Sequence, residues 1–280
     1  AELLQFISKN YKVIAIAGTH GKTTISIMLS HILTSSGINC SAFFGGISKN
    51  YNANFLIGDS KIMVVEADEY DKSFLRLSPT ISLISSLDKD HGDVYENNID
   101  MINNYKQFAN NTKEIVVGKN NLQLEFQYRY SIHSCSDFYV SNVDSQGDKL
   151  NFRIHFLNNL NVETYLLCGS KHNMENAVAA AGIAFLIGVS PYNIGKSLMS
   201  FQGVHRRFEY HLKNRNRIMI DDYAHHPEEL RALINSVRLL YPNQELFLIF
   251  QPHLFSRTKE FETEFAQVLS LADKLILLTD

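Results

Sequence analysis

A short glycine-containing loop between a strand pattern and a helix pattern constrains this chain more than any other feature. Residues 17–24 read Ala-Gly-Thr-His-Gly-Lys-Thr-Thr and follow the apolar run 13–16. Apolar residues then recur at helical spacing over 25–33, which predicts a strand, a tight turn and a helix in succession. Backbone N–H groups at such a helix start attract an anion, and Lys22 adds positive charge. The pattern therefore predicts a phosphate-binding loop that serves a nucleoside triphosphate.

The motif is shorter than the full eight-residue phosphate loop, because Ile16 stands where that loop has its first glycine. An ordinary strand-to-helix turn that happens to contain Gly, Lys and Thr is the competing interpretation. The strand pattern before the loop and the amphipathic helix pattern after it favour phosphate binding. Lys22 is then a candidate catalytic cation, and the Thr23 hydroxyl is a candidate Mg²⁺ ligand.

Composition excludes several function classes. The 280 residues are 45% hydrophobic and 20% charged, and a net charge of −3 without a dense basic stripe argues against nucleic-acid binding. No apolar run reaches membrane-spanning length and no signal peptide opens the chain, so we predict a cytoplasmic protein without membrane insertion. Cys40, Cys135 and Cys168 are far apart and odd in number, which favours buried thiols in a reducing compartment.

Strand and helix patterns alternate from residue 12 to about 120, which predicts an α/β fold with a mostly parallel sheet. The strands are predicted at 12–17, 39–44, 61–67, 81–86 and 114–118. The helices are predicted at 22–36, 98–111, 172–188 and 191–201. Short alternating runs between residues 131 and 168 predict a small antiparallel subsheet.

A second α/β unit is predicted to begin near residue 206, after a hinge at about 202–205. Its strands are predicted at 206–212, 217–221, 245–250 and 274–279, and its helices at 227–241 and 257–271. The chain opens inside an apolar helical pattern and stops in a strand pattern. We therefore expect a longer protein, cut at both ends.

Polar side chains follow two neighbouring predicted strands. Glu66 comes directly after four apolar residues, so its burial needs a partner such as a cation, although a solvated acidic turn is the alternative. His91 follows the strand predicted at 81–86, in a loop that by itself indicates only a solvated histidine. Because the C-terminal ends of parallel strands share one edge of a sheet, we predict that both residues lie near Lys22 and act in catalysis. Glu66 is then a metal ligand, and His91 either completes a second metal position or orients a water.

Other candidate residues lie further along the chain. Asn173 and Asn176 are three apart at a predicted helix start, where they can meet a base or ribose, or can simply cap the helix. The second unit has His/Arg-rich loops at 222–227 and 251–258 and an arginine pair before 208. Each of these segments can be a loop with incidental charges, but together they favour a surface that binds carboxylate or phosphate groups.

Taken together, these motifs resemble the Mur ligases of bacterial cell-wall synthesis. The segments that carry the resemblance keep the family's order and are 18–24, 66–71, 90–91, 172–176, 206–208, 222–227 and 251–258. The resemblance implies that residues 1–203 are the central ATP-binding domain. It implies that residues 204–280 are part of a Rossmann-like C-terminal domain and that the N-terminal UDP-binding domain is absent.

The resemblance also implies an activity, in which ATP converts a substrate carboxylate to an acyl phosphate that an amine then attacks. Among Mur ligases, the motifs are most similar to those of the member that joins L-alanine to UDP-N-acetylmuramate with ATP and Mg²⁺. The implied ATP-binding residues are Gly18, Thr19, His20, Gly21, Lys22, Thr23, Thr24, Asn173, Asn176, Arg207 and Asp222. The implied metal ligands are Thr23, Glu66 and His91, and the implied amino-acid pocket is Tyr223, His225, His253 and Arg257.

Two departures from the family pattern affect these assignments. Gly92 follows His91 where the family more often has a larger apolar residue, and Leu254 stands where some members have a second arginine. A family member that recycles murein tripeptide shares many motifs, and a non-catalytic nucleotide-binding module is the alternative of another class. The continuation 71–75 and the run 256–258 favour the alanine-adding activity. The oligomeric state does not follow from the sequence.

Overall fold

The computed structural model describes residues 2–87, 98–146, 149–167 and 170–278, and these residues form two compact units. The first unit ends at His205, and the second begins at Arg206. The first unit has two buried apolar clusters, and the second unit has one. Among the described residues, no helix combines the length and the apolar character that crossing a bilayer requires.

The first unit is built on a single sheet. Its strands, numbered β1 to β10, are Lys12–Ala17, Ser41–Ser48, Ala53–Leu56, Ile62–Glu66, Ile81–Ile84, Ile115–Lys119, Tyr128–Ser131, Phe138–Gln146, Lys149–His155 and Asn161–Leu167. Its helices, numbered α1 to α5, are Glu2–Ser8, Lys22–Ser35, Asn98–Asn110, Lys171–Leu186 and Pro191–Met199. Short 3₁₀ helices lie at Tyr70–Arg76 and Leu157–Asn159.

Within the described residues, the strand order is β10-β9-β8-β7-β6-β5-β1-β4-β2-β3. From β8 to β2 in this order, each strand is parallel to its neighbours. At one end β8, β9 and β10 pair antiparallel, and at the other end β3 pairs antiparallel with β2. The predicted parallel α/β sheet with a small antiparallel subsheet is therefore confirmed. The subsheet continues the main sheet at one end, and the edge strand β3 is an element that the sequence pattern did not predict.

Strand β1 lies in the middle of the sheet and is buried on both faces, as expected for a parallel strand between helical layers. Ile14 and Ile16 pack into a cluster with the apolar residues of α2 and α4. Val13 and Ala15 point to the opposite face, where they join a second cluster built around α3. This continuous apolar run explains why the loop that follows β1 is fixed at its starting point.

The second unit contains α6 (Pro227–Leu240), α7 (Phe255–Glu260), α8 (Glu262–Leu269) and four described strands. The strands pair two by two. β11 (Glu209–Lys213) is antiparallel to β12 (Ile218–Asp221), and β13 (Phe247–Phe250) is parallel to β14 (Lys274–Leu277). The core is formed by the residues Leu230, Ile234, Phe250, Phe265, Val268 and Leu269.

The single helix predicted at 257–271 is wrong, because the structure has two helices there. Phe261 has φ −110° and ψ 29°, which lies outside the helical region and ends α7 before α8 begins. Its ring contacts His226 edge-on, with a centroid distance of 4.7 Å. The break therefore coincides with a contact between distant parts of the second unit, which periodicity alone does not show.

Candidate active site

Parallel register brings the predicted site of the first unit together. Ile16 of β1 pairs with Glu66 of β4, and Ala17 pairs with Ile84 of β5. The glycine loop after β1, the acidic segment after β4 and the serines after β5 therefore lie at one edge of the sheet. This edge is where α/β proteins bind ligands.

Glu66 connects the loop helix to the neighbouring strand. Its Oε1 accepts a hydrogen bond from the Thr23 hydroxyl at 2.8 Å, and its Oε2 accepts one from the Gly45 N–H at 2.6 Å. A Cβ at position 45 would lie 2.9 Å from both carboxylate oxygens, so glycine leaves the space that the carboxylate fills. A hydroxyl and a carboxylate side by side are the oxygen ligands that Mg²⁺ prefers, so these two residues fit a magnesium site.

Lys22 is held from three sides. Its Nζ donates to the carbonyl oxygens of Gly18 at 2.8 Å and of Thr19 at 3.3 Å, and to the Glu69 carboxylate at 2.9 Å. The side chains of Lys22 and Glu69 are only 12% and 3% exposed, which makes this a buried ion pair. Burial raises the pKa of the Glu69 carboxyl above its ordinary value, and the Lys22 ammonium opposes that rise. A triphosphate at the loop would share the Lys22 charge with Glu69.

The serines that follow β5 hold the backbone of the glycine loop. The Ser85 hydroxyl donates to the carbonyl oxygen of His20 at 2.5 Å, and the carbonyl oxygen of Ala17 lies farther away, at 3.2 Å. The Ser86 hydroxyl accepts the His20 N–H at 2.8 Å. Gly18 has φ +128°, and a Cβ there would lie 2.2 Å from the Ser85 hydroxyl oxygen, so only glycine fits. The predicted loop residue Thr24 is buried in the first turn of α2.

The start of α4 lies beside the glycine loop. Ser170 caps α4 by accepting the backbone N–H of Asn173 at 3.1 Å. A Cβ at Gly21 would lie 2.5 Å from the Asn176 side-chain oxygen, so this amide touches the turn at the loop's second glycine. Asn176 is therefore brought to the phosphate loop, and Asn173 lies one helical turn from it on the same helix.

In the second unit, two backbone N–H groups hold the Asp222 carboxylate. Its two carboxylate oxygens accept the N–H groups of Phe208 at 2.7 Å and Ala224 at 2.8 Å. Burial raises the pKa of Asp222, and the backbone hydrogen bond from Phe208 and the Arg207 guanidinium oppose that rise. The geometry gives Asp222 a structural task, which is to join the segment before β11 to the loop after β12.

Three of the four predicted pocket residues form a ring cluster. The ring centroid of Tyr223 lies 5.0 Å from that of His225 and 6.1 Å from that of His253, and the two imidazoles are 5.8 Å apart. The Arg207 guanidinium carbon lies 5.3 Å from the centre of the Tyr223 ring. The fourth residue, Arg257, lies in α7 and is buried. Such a cluster can present imidazole and guanidinium groups to a small anion.

His91 and its neighbour Gly92 lie outside the described residues. The sequence did not single out Gly45, Ser85 or Ser86, although each makes a hydrogen bond at this edge. Glycine inside a strand is a signal of close backbone approach, but the predicted strand ended at residue 44, and only the structure places Gly45 inside β2. The serines carried no signal, because their role depends on contacts across more than sixty residues of sequence.

Replacing Lys22 with methionine leaves Glu69 without its buried cation. We expect a loss of about 3–5 kcal/mol in the free energy of unfolding at pH 8. The loss should shrink toward pH 5. Burial raises the pKa of Glu69 in the folded state, so the neutral carboxyl is tolerated at low pH, and this contribution to stability is lost as the pH rises through that pKa. Urea denaturation at both pH values measures it, with the exposed Lys196→Met as control. A loss of equal size at both pH values would contradict the buried pair.

Comparison with known proteins agrees with this geometry. A profile of the Mur ligase middle domain matches residues 16–184, and a profile of the Mur ligase glutamate ligase domain matches residues 206–280. The UDP-N-acetylmuramate–L-alanine ligase of Cytophaga hutchinsonii is 42% identical over 294 residues, which cover 99% of this chain and 62% of that protein. The chain thus spans about three fifths of the length of the curated relatives it matches.

Solved structures share the fold of this chain. The UDP-N-acetylmuramate-alanine ligase of Thermotoga maritima has a TM-score of 0.83 at 26% identity, over 97% of this chain and 62% of that one. The murein peptide ligase of Psychrobacter arcticus has a TM-score of 0.71 at 24% identity, over 98% of this chain and 65% of that one. From the two domain profiles and the identity across nearly its whole length, this chain belongs to the Mur ligase family.

Proposed function

We propose that this protein is an ATP-dependent ligase that forms an amide bond between L-alanine and UDP-N-acetylmuramate in peptidoglycan synthesis. The observation that carries the proposal is the meeting of Lys22, Thr23 and Glu66 at one sheet edge. Identity to relatives named for this activity supports the choice of substrates. Residues 1–203 then supply the ATP-binding domain, and residues 204–280 supply part of the C-terminal domain. The cytoplasm, where ATP is available, is the compartment that this activity requires.

In the first step, the γ-phosphoryl group moves from ATP to a carboxylate oxygen of UDP-N-acetylmuramate, and ADP leaves. Negative charge builds on the transferring group, and positioned donors stabilise it. Lys22 is the cation for this task, because its Nζ is fixed at the loop by the carbonyl oxygens of Gly18 and Thr19. The backbone N–H groups at the start of α2 supply the remaining donors. Asn173 and Asn176 are proposed to bind the nucleoside part of ATP.

Thr23 and Glu66 are the residues that would hold Mg²⁺, and His91 remains a predicted third ligand. A bound Mg²⁺ supplies positive charge that offsets the charge of the phosphates. Before any ion binds, the Gly45 N–H and the Thr23 hydroxyl hold the Glu66 carboxylate in place. Because Glu66 is already held in place, less conformational entropy is lost when a metal ion binds. The roles of Arg207 and Asp222 toward ATP also remain predictions.

In the second step, the amine of L-alanine attacks the carbonyl carbon of the acyl phosphate and gives up one proton, the bond from that carbon to the phosphate oxygen breaks, and inorganic phosphate leaves. Tyr223, His225 and His253 form the ring cluster that we assign to the amino acid. Arg257 is the cation that we assign to the alanine carboxylate, because a guanidinium binds carboxylates in a bidentate manner. The surrounding rings would limit the size of the amino-acid side chain.

Replacing Lys22 with alanine or arginine in the longer protein tests the role of the loop. We expect L-alanine-dependent phosphate release to fall by about a hundredfold or more, because a donor to the developing phosphoryl charge is lost or misplaced. Lys22→Arg keeps a cation beside Glu69, so it separates lost catalysis from lost stability. The matched control is Lys196→Ala, an exposed lysine of α5. Near-normal release by both Lys22 variants would exclude the proposed role.

A panel of acceptor substrates separates this proposal from its alternatives. We expect phosphate release to require both UDP-N-acetylmuramate and an amino acid, with L-alanine preferred over L-glutamate and over murein tripeptide. A preference for the tripeptide would assign the protein to the recycling branch of the family. Binding of ATP without release under any combination would favour the non-catalytic module.

A further inference from the structure

The three peptide groups of the glycine loop do not all face the same way. The carbonyl oxygens of Gly18 and Thr19 accept hydrogen bonds from Lys22 Nζ. The N–H groups of the same two peptides belong to Thr19 and His20, and they donate to Ser86, at its carbonyl oxygen and its hydroxyl. In a trans peptide the C=O and the N–H point in opposite directions. These two peptides therefore place Lys22 on one side of the loop and Ser86 on the other.

The third peptide, which joins His20 to Gly21, is reversed. Its carbonyl oxygen accepts the Ser85 hydroxyl at 2.5 Å, on the serine side of the loop. Planarity then directs the Gly21 N–H away from the serines and toward the Lys22 side. Gly21 has φ +83°, a left-handed conformation that glycine adopts without steric cost, so the reversal is compatible with the backbone.

We propose that Ser85 is a positioning residue, whose hydroxyl fixes the His20–Gly21 peptide so that the Gly21 N–H faces the triphosphate. The inference rests on the proposed function in that it takes ATP as the ligand of the loop. In physical terms, the hydrogen bond from the buried Ser85 hydroxyl fixes the direction of the His20 carbonyl group, and the Gly21 N–H then points the opposite way. This loop is shorter than the full phosphate loop, because Ile16 stands where that loop has its first glycine. Each backbone N–H that faces the phosphates is therefore a larger fraction of the donors available to them.

Ser85 is well placed for this task, and the strand that precedes it, β5, offers a matched control. It is 6% exposed, so water does not compete effectively for its hydrogen bond to the loop. Ser82 is fully buried in β5, and its hydroxyl oxygen accepts a hydrogen bond from Thr112 at 2.8 Å. Alanine at either position removes one buried hydroxyl from the same region, but only the change at 85 removes a contact with the loop.

Calorimetric titration of the chain with MgATP tests the proposal. We expect Ser85→Ala to weaken binding about tenfold, the effect of misdirecting one hydrogen bond to a charged ligand, while Ser82→Ala binds like the unmodified chain. Thermal melting followed by circular dichroism should show that both variants are folded. If Ser85→Ala does not fold, Ser85→Cys gives the same comparison, because a thiol has nearly the same shape and donates only weakly.

The outcomes are distinct. Equal affinity of Ser85→Ala and the unmodified chain would overturn the positioning role and leave the proposed function standing. Equal weakening by the Ser82 and Ser85 variants would also overturn it, because the effect would then come from the strand in general. Failure of the unmodified chain to bind MgATP would overturn both this inference and the proposed use of the loop.

Discussion

The parallel pairing of three buried strands is the constraint on which the candidate site depends. β1 is held between β4 and β5 with Ile16 opposite Glu66 and Ala17 opposite Ile84. Burial holds these strands together, because the side chains of β1 pack into one apolar cluster on each face of the sheet. Groups that are distant in sequence then meet at the strand ends without any further device. The chemistry at the sheet edge is thus positioned by the apolar core beneath it.

The two glutamates after β4 have different environments and different tasks. Glu66 is only partly buried and is held by a hydroxyl and a backbone N–H, which are contacts that a metal ion can share or replace. Glu69 is buried against Lys22, where it fixes the ammonium group and carries a raised pKa. A buried pair of this kind adds little net stability, but it gives a long, flexible side chain a defined position. Lysine at the loop is therefore ordered before a nucleotide arrives.

Much of the fold could be predicted from the sequence, because its main signals are local. The strand at 12–17 and the helix after it follow from an apolar run and a helical repeat. Alternating residues near 149–155 likewise predicted an antiparallel strand. The helix break at Phe261 could not be predicted, since it coincides with packing against a residue far away in sequence.

In the candidate site too, the residues with a local sequence signal could be predicted, and the contacts between distant segments could not. The loop and Glu66 stand out because glycine, lysine and carboxylate at strand ends have few structural uses. The pairing of Lys22 with Glu69 and the bracing of the loop by Ser85 and Ser86 could not be predicted. Both depend on which strands become neighbours, and a single strand pattern does not contain that information.

The proposed function requires that a phosphoryl group of ATP is transferred to a substrate carboxylate at this sheet edge. Its most direct test uses UDP-N-acetylmuramate labelled with ¹⁸O in the carboxylate, together with ATP and L-alanine, and the longer protein as catalyst. An acyl phosphate requires a carboxylate oxygen to leave with the phosphoryl group when the amide forms. The account predicts that each inorganic phosphate released carries one ¹⁸O atom, as measured by mass spectrometry. Phosphate without the label, formed in step with the amide product, would contradict it.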